Sequence, residues 1–492
     1  MIYKSELCRV LIDHFEGLSI RRQMQRWRWK LDIMRAVKYF VVILFSILSA
    51  GICAQDIKID AEISTALKDN IYLSKLNYPK SVARFYTDNY SGYSWTDSLQ
   101  RQDQLEIALA LLTRADHYGL SRSDYHLESL SFEKLKQWRD FPSEKNKKEK
   151  ASFDILLTDG LITFMNHLHF GKYNPLYDSS ALDSSRINGF CADELLSTAR
   201  MQTDFQGAIL KAQPKIKAYS DFQAYLDRSY TANNGITAQA GLGKIIINME
   251  RLRWISTQSD NYIMVNIPSY TLEFHQGDEI SDFKVVVGKP ATKTPVLESE
   301  INYFSTAPEW RVPQSIFLHE ILPEILEDRS YLADHNYIVY DASGNEVVVS
   351  ASTRRQIAKN PYSYSIRQSS GQDNALGAVV FRFQNPHAVY LHDTPQKQFF
   401  DRGKRALSHG CVRVENADRL AAMLLSYDGS EYKISELENA ILSYEKKDFV
   451  LSKPIPIIIT YLTCLIKNGK PALYTDIYQF DKPLEARFDQ NK

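Results

Sequence analysis

The chain has 492 residues, 24% of them charged and 12% aromatic, and Lys plus Arg equals Asp plus Glu at 59 each. That length implies two or three globular units rather than one. Balanced charge excludes a global field drawing the protein to nucleic acid or anionic lipid, so no nucleic-acid partner is expected.

In chain order, Arg35 and Lys38 precede an apolar run at 39–50 (YFVVILFSILSA). A short apolar core behind positive charge reads as a secretory signal, and Gly51 and Ala54 suit cleavage before Gln55. The run is shorter than the roughly 20 residues that span a bilayer. Retention of 39–54 as a membrane anchor is the alternative, and Ile52 argues against lipidation of Cys53. Both readings export the protein to the periplasm or cell envelope. Residues 1–33 are long and charged for a leader, carrying Trp27 and Trp29, so Met34 is a candidate start. Residues 1–54 are thus an N-terminal extension with a signal or anchor.

Residues 55–250 read as an all-helical domain. Leu105, Ala108, Leu109 and Leu112 recur at helical spacing before Gly119, and Leu157, Leu161, Phe164 and Leu168 repeat the device before Gly171. The charged stretch at 143–150 (SEKNKKEK) is expected to be a solvated loop, and no catalytic constellation is visible here. Past these helices the period becomes that of strands, expected at 262–267, 271–275, 283–287, 337–340, 347–349, 379–383 and 388–391. Residues 315–331 read as an inserted helix broken or kinked at Pro323. A last strand is expected over 457–465, with Pro454 and Pro456 keeping its start away from a sheet centre.

Beyond the leader the cysteines are Cys191, Cys411 and Cys464, so at least one thiol stays free. Cys464 lies among Tyr461, Leu462 and Leu465 and reads as core, and Cys191 reads as filler at a helix start. Cys411 differs. The segment 390–416 (YLHDTPQKQFFDRGKRALSHGCVRVEN) puts it after Gly410, where close backbone approach can turn the N–H groups of 410 and 411 into an oxyanion hole. His392, 19 residues earlier at a strand end, is the candidate base. His409, Arg405 and Arg413 are expected to favour thiolate over thiol. A zinc site of His392, His409 and Cys411 lacks any CxxC or HxxxH spacing, so neither metal nor cofactor is expected. A papain-type hydrolase would need a different cysteine environment and the reverse order of Cys and His.

The segment resembles the signature of YkuD-type L,D-transpeptidases, an upstream His followed by S/T-H-G-C. Asp373 to Gly377 (DNALG), His392 to Pro395 (HDTP), Val412 to Asn416 (VRVEN) and residues 308–316 (PEWRVPQSI) resemble the large YcbB-like branch. The likeness covers about 245–480 firmly, and the helical half loosely through Phe85-Tyr86, Trp95 and 248–254 (NMERLRW). It implies an α+β protein with a β-rich catalytic domain over 251–484, carrying a helical lid insertion at about 311–375, behind a helical scaffold domain. It also implies peptidoglycan tetrapeptide stems as donor and acceptor, 3-3 cross-links, release of D-alanine, and a carbapenem adduct at Cys411. Cys411, His392, Asp393 and Gly410 would be catalytic. Tyr390, Ser408, His409, Arg413, Asn374 and Trp310 would line the substrate site. An L,D-carboxypeptidase and a non-catalytic peptidoglycan-binding scaffold are the alternatives. Two departures stand out: no glycan-binding turn pattern lies between Phe205 and Ile247, and Ala307 replaces an Asn often found before the lid.

Overall fold

The computed structural model describes residues 60–89, 92–96, 102–140, 146–232 and 241–490. The leader at 39–54 and Met34 lie outside them. No described helix is long and apolar enough to cross a membrane. The first half is built on α1 (Pro79–Asn89), α2 (Gln102–Thr113), α3 (Lys147–Phe170), α4 (Lys217–Ala232) and α5 (Leu242–Arg253), with shorter helices between them. Leu105, Ala108, Leu109 and Leu112 of α2 are buried, as are Leu157, Leu161, Phe164 and Leu168 of α3.

Helix α3 is buried on almost every side from Ala151 onward because it runs through the middle of this domain. Its first turn is Lys147 to Lys150, so the second half of the expected solvated loop is helix. Lys and Glu are good helix formers, and an exposed turn leading into a buried run accommodates them. Two carboxylates inside α3 hold loops to it. Asp154 accepts from the backbone N–H groups of Ser94, Trp95 and Thr96 and from the Tyr86 hydroxyl, at 2.6–3.1 Å. Asp159 accepts from the N–H groups of Asn77 and Tyr78. Asp154→Ala would leave several donors buried without an acceptor, and is expected to cost about 3 kcal/mol or more. Thermal unfolding should show a clearly lowered midpoint, and an unchanged one would refute this account.

Helix α5 joins the two halves. Its Ile245, Met249 and Leu252 pack with Met264, Ile458, Leu462 and Cys464 from the β-rich half. Asp481, at the start of the C-terminal helix Asp481–Asp489, accepts from Arg251 at 2.6 Å, Lys244 at 2.5 Å and the Thr463 hydroxyl at 2.8 Å.

The β-rich half contains β1 (Asn261–Asn266), β2 (Thr271–Gln276), β3 (Glu279–Gly288), β4 (Leu297–Thr306), β5 (Trp310–Arg311), β6 (Tyr337–Asp341), β7 (Tyr364–Gln368), β8 (Val379–Phe383), β9 (Leu391–His392), β10 (Ala406–Ser408), β11 (Val412–Val414), β12 (Asp448–Thr460), β13 (Cys464–Lys467) and β14 (Lys470–Leu473). Nine of them form one mixed sheet in the order β10-β3-β11-β9-β8-β4-β12-β1-β2, and β2 also pairs with β3. That extra pairing closes the sheet on itself, so it curls around one core. Phe274, Phe304, Phe381, Leu391, Val412 and Ile457 fill the core, and α6 (Ala417–Asp428) seals it with Leu420, Leu424 and Leu425.

Several expectations are corrected. Strand β12 runs straight through Pro454 and Pro456 and lies between β4 and β1, not at an edge. A bulge against β4 between Val450 and Ile455 takes in Pro454, and Pro456 pairs only with β4 because pairing with β1 starts at Ile457, so the missing N–H of each proline is not called on from both sides. The expected strand to residue 465 breaks after Thr460, and β13 pairs with β14 instead. Residues 347–349 form no strand: Val348 is 89% exposed and has no face to bury. At 388–391 only Leu391 joins the sheet, because Ala388 has φ +52° and leaves the extended region.

The lid is mixed rather than helical. It holds a small sheet in the order β5-β7-β6 and its own core of Phe317, Ile321, Ile325, Val339, Ile357 and Ile366. Its first helical stretch passes from Gln314–Ile316 through a π-helical turn at Phe317–Ile321 into Leu322–Glu327. Pro323 therefore does not break it, since a π turn just before a proline removes the clash with the preceding carbonyls. Tyr331–Asp334 is a separate short helix.

Candidate active site

Strand register assembles the site. Strand β8 runs antiparallel to β9, with Val380 opposite His392 and Phe381 opposite Leu391. Strand β11 runs parallel to β9, with Val412 opposite Leu391 and Arg413 opposite His392. Just before the paired residues of β9 and β11, Tyr390 and Cys411 lie side by side, with the Val412 N–H donating to the Tyr390 carbonyl at 3.1 Å, and Arg382 of β8 follows Phe381 on their other side. Phe381, Leu391 and Val412 point into the core. The alternate residues Arg382, Tyr390, His392, Cys411 and Arg413 therefore share the opposite face.

His392 is buried, and its Nδ1 donates to the Asp393 carbonyl at 2.5 Å. That bond leaves Nε2 as the basic nitrogen. The carbonyl of Asp393, not its carboxylate, orients the ring. The carboxylate instead binds Lys397 and accepts from the Ala378 N–H at 3.0 Å. Cys411 and His392 are diagonal neighbours on one face, roughly 8 Å apart along the sheet. The thiol makes no hydrogen bond to the imidazole here. Its Sγ lies 4.0 Å from the Ala388 carbonyl and is hydrogen-bonded by Tyr390, whose hydroxyl also meets Trp310 at the root of the lid.

Next to Cys411, Gly410 has φ +121°, a conformation glycine adopts freely. Its N–H donates to the Ser408 hydroxyl at 3.1 Å, and that hydroxyl donates to the Cys411 carbonyl at 2.5 Å. The Gly410 N–H is thus engaged inside the loop, contrary to the expected two-amide oxyanion hole. Ser408 is a buried loop pin rather than a group facing substrate. Thr292 and Thr294 donate to the carbonyls of Ser408 and Gly410 at 3.0 and 2.8 Å, a clamp that nothing near the signature announced. The hydrogen-bond donors at the sulfur come from Tyr390, through its backbone and its hydroxyl.

Asn374 is also internal. Its amide donates to the carbonyls of Gln368 and Ser369 and accepts from the Leu376 N–H at 2.8 Å, so it shapes the turn whose Leu376 carbonyl meets His392. His409 Nε2 lies 2.5 Å from Oε1 of Glu320 in the π turn, tying the nucleophile loop to the lid. Arg413 donates to Gln396 at 2.6 Å and keeps a buried Nε without a partner.

The electrostatics reverse one expectation. Burial pushes the Cys411 thiol up, and Tyr390 together with the charges of Arg382 and Arg413 offsets this only in part. Arg405 is held elsewhere, its guanidinium donating to the carbonyls of Val285, Tyr270 and Arg402. Burial, followed by the Arg413 charge, pulls His392 down to about 3. The resting pair is a neutral thiol beside a neutral imidazole. Alkylation of Cys411 by a neutral reagent should therefore keep rising through pH 9 with no plateau near neutrality. A plateau between about pH 5 and 7 would reveal a resting imidazolium–thiolate pair and refute this.

Residues 260–438 match the YkuD family, described as the L,D-transpeptidase catalytic domain, and residues 80–226 match a family described as the scaffold domain. A protein of Haemophilus influenzae named "Putative L,D-transpeptidase" is 30% identical over 423 residues, which is 83% of this chain and 80% of that protein.

Proposed function

From the premise that this chain belongs to the L,D-transpeptidases, with a YkuD catalytic domain and a scaffold domain, we propose that it makes 3-3 cross-links in peptidoglycan through a thioester on Cys411. In this reading the scaffold spans 55–250, the catalytic domain 251–484 and the lid 311–375, and the protein works in the cell envelope after export by its N-terminal segment. Both donor and acceptor are peptidoglycan stems.

The reaction runs in two steps. His392 takes the thiol proton as the Cys411 sulfur attacks the carbonyl of the third residue of a tetrapeptide stem. The tetrahedral oxyanion receives hydrogen bonds from the Cys411 N–H and the Tyr390 hydroxyl. On collapse the amide C–N bond breaks, the proton on His392 passes to the leaving nitrogen, and D-alanine departs. A side-chain amine of a second stem then attacks the thioester, His392 accepts its proton, and the thiol is regenerated as the new amide forms.

The observation that carries this reading is the shared face of Cys411, Tyr390 and His392 beneath an insertion that meets Tyr390 through Trp310 and the neighbouring His409 through Glu320. Incubation of the purified chain with disaccharide tetrapeptides should yield a 3-3 dimer and free D-alanine by mass spectrometry. D-alanine without dimer would make the enzyme a carboxypeptidase, and neither product would end the catalytic reading.

A further inference from the structure

Arg382 has no role in the reaction just described, yet it lies one residue beyond the pairing of Phe381 with Leu391, next to Tyr390, and its charge is felt at Cys411. Its guanidinium lies over the Tyr390 ring, 5.2 Å from the centroid. Among the described residues no carboxylate pairs with it, and none pairs with Arg413. Arg413 keeps a buried Nε unbonded and has only the neutral Gln396 as a side-chain acceptor. By contrast, buried Arg251 is matched to Asp481. Two partly buried cations beside a nucleophile, with no protein anion between them, form a receptor for an anion supplied from outside.

Geometry indicates which anion. Two strand spacings put the Arg382 Cα roughly 10 Å from that of Cys411, and the side chain crosses much of that gap over Tyr390. The oxyanion itself has nearer donors in the Cys411 N–H and the Tyr390 hydroxyl. The arginines therefore face charge a few bonds away from the scissile carbonyl. Guanidinium forks suit carboxylates there.

Resting on the transpeptidase reading, we propose that Arg382 is a specificity-determining residue which, with Arg413, recognises a donor-stem carboxylate flanking the scissile bond. Two carboxylates have this chemistry: the C-terminal one of the leaving residue and the side-chain one of the third residue.

The test compares wild type, Arg382→Gln and Arg382→Lys on three donors: the free-acid tetrapeptide, its C-terminal carboxamide, and the form amidated on the third residue's side chain. The readout is kcat/KM for release of the fourth residue. Wild type should prefer the free acid over one amide by about ten- to a hundredfold. Arg382→Gln should lose that preference by slowing on the free acid while changing less than about threefold on the disfavoured amide. Arg382→Lys, which keeps the charge but not the fork, should fall between. Whichever amide is disfavoured by wild type identifies the carboxylate. Equal slowing on all three donors would mean that Arg382 acts on the thiol rather than on substrate, and would overturn the proposal. So would an unchanged preference in Arg382→Gln. Should wild type turn over no donor at all, the transpeptidase reading falls and takes this inference with it. Turnover by wild type with the preference retained in Arg382→Gln sinks this inference alone.

Discussion

Cys411→Ser should abolish cross-linking, D-alanine release and carbapenem adduct formation together, with acylation slowed by at least about a thousandfold. A serine hydroxyl is far less acidic than a thiol, and its only candidate base is a burial-depressed imidazole. Serine is close in volume, so the Ser408 and Thr294 bonds to the loop should survive. The loss would then be chemical rather than structural. Intact-protein mass spectrometry after carbapenem treatment is the direct measurement. An adduct on the serine variant, or undiminished D-alanine release, would place the nucleophile elsewhere.

His392→Gln is the second large effect, with kcat expected to fall about a hundred- to ten-thousandfold and KM to change little. The glutamine can still donate a hydrogen bond but offers no basic nitrogen. In wild type the imidazole, drawn down to about 3, stays unprotonated as pH falls from 8 to 5, so its own titration should not reduce activity in that window. The loss in the variant should accordingly be similar at pH 5.5 and pH 7.5. A deficit that vanished at the higher pH would mean that the thiol ionises there without the imidazole, contrary to a thiol pushed up by burial. If His392→Gln retained wild-type kcat, the proton would have to leave by another route.

Much of the architecture was legible along the chain because burial imposes a period. The apolar faces of α2 and α3, strands β1, β2 and β8, and the arrival of a lid after β4 all follow from side chains that must face a core. Where local pattern and outcome part, a long-range constraint wins. Pro454 and Pro456 read as edge residues, but β12 is drawn into the sheet centre by the match of Ile457 to Thr460 against β1, with Pro454 absorbed in a bulge and Pro456 paired with β4 alone. Ala388 to Tyr390 read as strand until the φ of +52° at Ala388 turns the chain toward the site.

The chemistry divides in the same way. Residue type and spacing were enough to single out Cys411 and His392, since a free thiol amid polar and small residues is poor material for a plain strand, whereas Tyr390, Trp310 and an acyl transfer came only with the resemblance to the YkuD signature. Type and spacing did not say which polar groups face outward. Ser408 and Asn374 have the hydrogen-bonding capacity of substrate ligands, yet both are saturated by the backbone. Thr294 is tied to Gly410 across 116 residues, Glu320 reaches His409 across 89, and Arg382 comes next to Tyr390 through strand pairing. A polar side chain's role depends on what sits within about 3 Å of it. For this site those neighbours come from distant strands and from the insertion after β4, so Cys411 stands out as a candidate in local sequence, while its charge state and the surroundings that tune it follow from the closed sheet.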